Sequence, residues 1–281
     1  MTNEYGNELL HKVLLSAMKD IDKICRENGL RYYLHAGTLL GAFNYKGFIP
    51  WDDDVDISMS PNDYDILVRT LASEYSKKYH VETYDNTDSH FSKLNKIRIH
   101  GAEVVYSNGL HEAVFIDLSV FHHTPNGKLA RKIQEAQLRF WDIVLSIKKG
   151  TIKPTSFVSK FVFVPFSRLS KAFIGRTVDS IMTRYDNRDT DYYALMIHHL
   201  PNPYTGTSGY FNDFVPVELC ENPQYVDFED TQFMVYSDPI RDLTHRYGKD
   251  YNKPYPEEKR KSKHCIVNFE LTDELKNRLG L

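Results

Sequence analysis

The sequence predicts an α/β (α+β) fold, with a small mixed sheet and its helices in roughly the first 125 residues and a mainly helical part after them. Three observations point there. Helical and strand-type apolar periods alternate up to about residue 125. The strand-type runs are short and set apart by turn residues. From about residue 126 two long helical periods take over, 129–147 and 169–185. With 281 residues, 41% of them hydrophobic, the chain can bury a substantial core as one large domain or two small ones.

Element by element, residues 7–28 carry Leu10, Val13, Leu14, Ala17, Met18, Ile21 and Ile24 at helical spacing, and Asn28-Gly29 supplies the stop. A strand over 31–35 follows. Gly37-Thr38 then opens a short helix, Leu39 to Phe43, whose first amides are free to face an anion. Residues 44–50 form a turn into the run Trp51-Asp52-Asp53-Asp54-Val55-Asp56-Ile57, read as a half-buried strand. Ser60-Pro61-Asn62-Asp63 combines an N-cap hydroxyl, a first-turn proline and an acid three residues on, so a helix over about 61–78 is expected. Strand-type runs recur at 80–84, 93–99, 103–106 and 114–120, and a β-turn-helix unit at about 225–247. Neither an internal repeat nor a low-complexity linker is present, so the boundary is set by character alone: a core over 1–125 and a segment over 126–281 closing over it.

The acidic run is the chemically informative stretch. Alternation in a strand puts Asp52, Asp54 and Asp56 on one side and sends Val55 and Ile57 into a core. On this reading Asp54 and Asp56 hold one or two divalent ions, and oxygen-only ligands favour Mg2+ or Mn2+ over zinc. The competing reading is a solvated acidic turn. An EF-hand loop fails because Ile57 stands where its glycine belongs and Pro61 interrupts it.

Other features set bounds. Cys25, Cys220 and Cys265 are widely spaced, which gives neither a zinc pattern nor a disulfide framework and fits a reducing, cytoplasmic setting. The start of the chain lacks the basic, apolar pattern of a signal peptide, and no apolar run reaches the roughly 20 residues of a membrane span. Net charge is −3, but residues 128–188 hold 13 Lys/Arg against 4 Asp/Glu, a local +9 that leaves −12 elsewhere. Within that basic stretch, residues 153–174 carry Phe157, Phe161, Phe163 and Phe166 among Lys153, Lys160, Arg168 and Lys171, a pattern that suits either a bilayer interface or a buried strand or helix cap over the core. Nucleic acid is not an expected partner, because no recognised nucleic-acid module accompanies the charge.

Gly37-Thr38-Leu39-Leu40-Gly41-Ala42, the turn Lys46-Gly47-Phe48-Ile49-Pro50 and the acidic run together resemble the LicD family of phosphocholine transferases, which takes in the fukutin-related ribitol-phosphate transferases and belongs to the nucleotidyltransferase-like superfamily. Lys96-Ile97-Arg98 is similar to the family's basic strand and Phe115-Ile116-Asp117-Leu118 to its next acidic strand. Tyr247-Gly248, Pro254, Pro256-Glu257-Glu258-Lys259-Arg260 and His264 are similar to its C-terminal signature. Residues 125–205 show no such match. The chain departs in having Ala36 where the family usually has a first glycine, and in an added Lys249.

The resemblance implies a nucleotidyltransferase-like core and a metal-dependent transfer of phosphocholine from CDP-choline to a hydroxyl of a cell-surface glycan such as lipopolysaccharide, teichoic acid or capsule, releasing CMP. Ribitol, glycerol or ethanolamine donors and a non-catalytic nucleotide-binding protein are the rivals. It implies Asp54, Asp56 and Asp117 as catalytic metal carboxylates, with Asp117 also orienting or deprotonating the acceptor. Asp52 either joins the metal or holds Lys46, and Asp53 is structural. Gly37 and Thr38 would meet phosphate oxygens, Lys46 and Arg98 would balance diphosphate charge, and Arg260 and His264 would reach the site from the C-terminal segment. A lipid-linked acceptor would suit a peripheral membrane position.

Overall fold

The computed structural model describes residues 7–107, 109–196, 209–257, 260 and 266–281. In chain order the elements are α1 (Glu8–Glu27), β1 (Tyr32–Leu34), α2 (Ala36–Asn44), β2 (Asp56–Met59), α3 (Pro61–Glu74), β3 (Tyr79–Glu82), β4 (Asn95–Tyr106) and β5 (His111–Val120). There follow β6 (His122–His123), α4 (Lys128–Lys149), α5 (Phe157–Val162), α6 (Val164–Ser167), α7 (Lys171–Met182), β7 (Tyr192–Ala194), α8 (Gly209–Asn212) and β8 (Phe214–Pro216). The last are β9 (Gln224–Phe228), β10 (Thr231–Val235), α9 (Pro239–Tyr247), β11 (Ile266–Leu271) and α10 (Asp273–Leu279). They fall into two compact units, one gathering described residues of 1–82, 95–120 and 222–281, the other 83–94 and 121–221.

The first unit is built on a mixed sheet in the order β1-β2-β5-β4-β11, with β3 also paired to β4. Strands β2 and β5 run parallel and the other pairs antiparallel. The α1 face that is buried includes the whole predicted apolar stripe, Leu10 to Ile24. Helix α3 starts where the capping signal put it, with Ser60 Oγ accepting from the Asp63 amide at 3.2 Å. The two runs read as separate strands at 93–99 and 103–106 are one strand, β4, whose register slips between Arg98 and Glu103 where Gly101 takes φ +84°.

Two expectations are corrected. First, the segment from 222 onward belongs with the sheet rather than with the helices after 126. Phe228, Phe233, Val235 and Tyr236 are buried, Tyr236 stacks on Tyr33, the Tyr32 hydroxyl accepts from the Met234 amide, and β11 pairs with β4. Second, the acidic run is not a strand over its length: β2 begins only at Asp56, and Asp52 to Val55 are irregular. The Asp52 carbonyl accepts from the side chains of Asn7 (3.1 Å) and His11 (2.7 Å), contacts that take the place of a ladder.

In the second unit α4 and α7 pack around Tyr84, Leu138, Val144, Ile174, Val178, Ile181 and Tyr210. Gln134 lies inside this core, fully partnered: its amide donates to the Ile181 carbonyl (2.9 Å) and accepts from the Tyr210 hydroxyl (2.7 Å). Strands β6, β7 and β8 form a small antiparallel sheet. The phenylalanine-rich stretch is neither a buried strand nor a buried cap; it forms the short helices α5 and α6, and Phe157 and Phe161 stay exposed.

Candidate functional site

The N-terminus of α2 and the acidic run are held against each other at backbone level. The His35 amide donates to the Asp56 carbonyl (3.0 Å), and Thr38 Oγ1 accepts from the Asp56 amide (2.8 Å). The Thr38 hydroxyl is therefore a strut between α2 and β2 that still has its proton to donate to a ligand. His35 is buried, with Nδ1 3.3 Å from the Tyr236 hydroxyl, which also lies 3.0 Å from Ser58 Oγ. A Cβ added at Gly37 would stand 2.7 Å from Asp52 Oδ2, so glycine is needed for the helix to come this close to the carboxylate. Ala36, the first residue of α2, adopts φ +45°, a left-handed conformation that glycine accepts and alanine resists.

The carboxylates converge differently from the alternation expected of a strand. Among the described residues, Asp52, Asp53 and Asp54 bring side-chain oxygens within 4.8 Å of one another; the first two are buried and Asp54 is half-buried. Exposed Glu103, His111 and Glu270 form the other such group, at the sheet surface. Asp56 and Asp117 are register partners on the parallel pair β2 and β5, and Lys96 on β4 is the antiparallel partner of Asp117. Register partners share a face, so Asp56, Asp117 and Lys96 form a row across three strands. Lys96 Nζ lies 3.1 Å from Asp117 Oδ1 and 3.2 Å from the centre of the Phe115 ring.

Lys96, not Arg98, is the basic residue of this strand that faces Asp117. Arg98 is engaged elsewhere, with Nε 2.5 Å from Glu82, Nη1 donating to the Ala113 carbonyl (2.9 Å) and Glu112 at 3.6 Å. Lys46 is exposed at φ +54° and lines an open groove with Arg26, Asp227, Glu229, Asp230 and Gln232. The turn it belongs to is clasped by Glu229, whose amide donates to the Lys46 carbonyl (2.7 Å) and whose carboxylate accepts from the Phe48 amide (3.1 Å). Arg260 does approach the acidic run: its Cζ lies 5.3 Å from the Trp51 ring, and Nε donates to the Tyr255 carbonyl (2.8 Å). Tyr255 stacks on Trp51 at 6.0 Å and Tyr45 meets it edge-on at 5.8 Å, so an aromatic corner adjoins Asp52. His264 lies outside the described residues.

Burial lowers the His11 pKa from its ordinary value, against raising contributions from the Asp52 carbonyl contact, Glu229 and Asp53. A neutral His11 is consistent with its stacking on Phe48 and its donation to Asp52. Burial pushes the Cys25 thiol up to about 12, so it stays protonated and is no nucleophile. His122 pairs with Asp186 and His123 with Thr190, both at 2.7 Å, which gives that histidine pair a structural use.

An all-oxygen group of two buried carboxylates and a half-buried one fits a hard divalent cation such as Mg2+ or Mn2+. Comparison with known proteins adds the family. The chain is 27% identical over 264 residues to the lipopolysaccharide cholinephosphotransferase LicD of Haemophilus influenzae, covering 90% of this chain and 93% of that protein. It is also 32% identical over 72 residues to an uncharacterized protein of Rickettsia prowazekii (26% of this chain, 27% of that protein) and 42% identical over 50 residues to one of Rickettsia typhi (18% and 16%). Residues 29–172, which hold α2, the carboxylate cluster and the Asp56–Asp117–Lys96 row, match the LicD/FKTN/FKRP nucleotidyltransferase domain, and the chain belongs to that family.

Proposed function

We propose that the protein is a transferase that moves phosphocholine from CDP-choline to a hydroxyl of a surface glycan, of the lipopolysaccharide kind named for its Haemophilus relative, releasing CMP. The observation that carries this reading is the convergence of Asp52, Asp53 and Asp54, with Asp52 set against the glycine-opened start of α2. Phosphoryl transfer asks a protein chiefly for charge neutralisation and positioning, and these residues offer both. Asp54 and Asp56 are the proposed metal ligands, joined by Asp52 and by Asp117 from the next strand. When bound there, Mg2+ or Mn2+ neutralises charge on the diphosphate. The amides at Gly37 and Thr38 face the same phosphates. Asp117 receives or orients the acceptor hydroxyl proton, and Lys96 holds its carboxylate in place. Trp51, Tyr45 and Tyr255 offer ring faces of the kind that hold a quaternary ammonium. The acceptor we infer is lipid-linked, met from the cytoplasmic side of a membrane.

The test is release of CMP when the protein is incubated with Mg2+, a glycan acceptor and a panel of CDP-choline, CDP-ethanolamine, CDP-glycerol and CDP-ribitol. CDP-choline should turn over fastest. Replacing Asp54 or Asp56 with Asn should lower turnover by about 100-fold or more while circular dichroism stays unchanged. Absence of CMP with every donor overturns the reading, and full activity in either variant removes the metal assignment.

A further inference from the structure

We propose that the outer face of α5 and α6 is a membrane-docking surface that seats its phenylalanines in the interface of a bilayer containing anionic lipid. Phe157 and Phe161 are 74% and 67% exposed, and their rings touch at 4.2 Å as an i, i+4 pair. Ile152, Val162 and Phe166 add 46%, 41% and 42% exposed apolar side chains to the same short stretch of chain. Single exposed apolar residues are ordinary in a folded protein, but a clustered group marks a contact surface. The group is not a loosely packed part of the core, because the unit's own core is served by another ring nearby: Phe163 packs on it and lies 5.4 Å from Phe140.

Charge identifies the occupant. Between Asp142 and Asp179 the chain contains no Asp or Glu, yet it carries Lys148, Lys149, Lys153, Lys160, Arg168, Lys171 and Arg176. Lys148 and Lys171 anchor the segment internally, donating to the Ser167 and Leu169 carbonyls and to the Tyr84 and Thr87 carbonyls. Lys149, Lys153, Lys160, Arg168 and Arg176 are exposed, so the exposed phenylalanines lie in a stretch of chain whose charges are all positive. Phenylalanine flanked by Lys and Arg is the composition of a segment lying in a headgroup region. No helix among the described residues is long and apolar enough to cross a membrane, so the contact is one of lying on the surface. This inference stands apart from the reading of the carboxylate site.

Flotation of the full chain with vesicles tests it. The protein should float with phosphatidylcholine–phosphatidylglycerol vesicles and much less with phosphatidylcholine alone. F157S/F161S should weaken binding at least about tenfold, and K153Q, K160Q and R168Q by roughly fivefold each at low salt; melting temperature and CMP release from soluble substrates should match the parent. As a check that does not rely on loss, F161W should show blue-shifted emission, quenched by brominated lipid. Failure of the parent to bind anionic vesicles overturns the proposal, as does undiminished binding by F157S/F161S or an unshifted F161W.

Discussion

Ala36 carries the clearest conflict between residue type and backbone in the protein. Its φ of +45° lies where an L side chain costs about 1–2 kcal/mol, and it opens the helix that approaches Asp52. Relief of that strain exceeds the extra chain entropy of glycine, so Ala36→Gly should stabilise the protein by about 0.5–1 kcal/mol in urea unfolding. A variant less stable than the parent would mean the conformation is not the one described. The sequence makes the position visible, because the family's first glycine is replaced there. It does not make Lys96 visible in the same way. Lys96 and Arg98 are equivalent in a strand pattern, and only the neighbouring strands show that Arg98 is occupied by Glu82 and Glu112 while Lys96 faces Asp117.

At the scale of elements, pairing register does what local sequence cannot. Asp56, Asp117 and Lys96 are separated by tens of residues and meet because β2 and β5 run parallel while β4 runs antiparallel to β5. Both Lys96 and Asp117 are mostly buried, so removing one leaves the other charge poorly compensated. Lys96→Met should cost about 2–3 kcal/mol and lower kcat for CMP release, with Lys96→Arg recovering part of each; unchanged stability and turnover in Lys96→Met would refute the pairing. Capping chemistry and helical stripes placed α1 and α3 closely from local signals alone. The first half of the acidic run departs from the strand that Val55 and Ile57 between acids predict, because Asp52 is fixed by Asn7 and His11 from α1 and its approach.

At the scale of the whole molecule, burial lowers the pKa of His11 in the first unit and of His123 in the second, with desolvation the leading cause in both. Their folded pKa values lie below the unfolded value near 6.5, so the unfolded chain binds protons first as pH falls. Stability should hold above about pH 6.5 and decline on acidification below it. Melting curves between pH 8 and 5 would check this, and His11→Gln should flatten the decline; an unchanged slope would show that His11 is not buried neutral. The division at residue 125 was legible only in part: the shift to helices after 126 is real, but no local signal announces that residues after 222 return to the first sheet.

That return has a consequence for biogenesis. The second half of β4, Ala102 to Tyr106, obtains its outer partner only from Leu271 to Ile266, so on a ribosome it waits for about 160 further residues while its backbone groups stand open. Residues 121–221 form one uninterrupted stretch of the second unit and can condense meanwhile. The nascent sheet of the first unit is thus the slower partner in its own synthesis, and its unsealed edge is the place where a chaperone has most to guard.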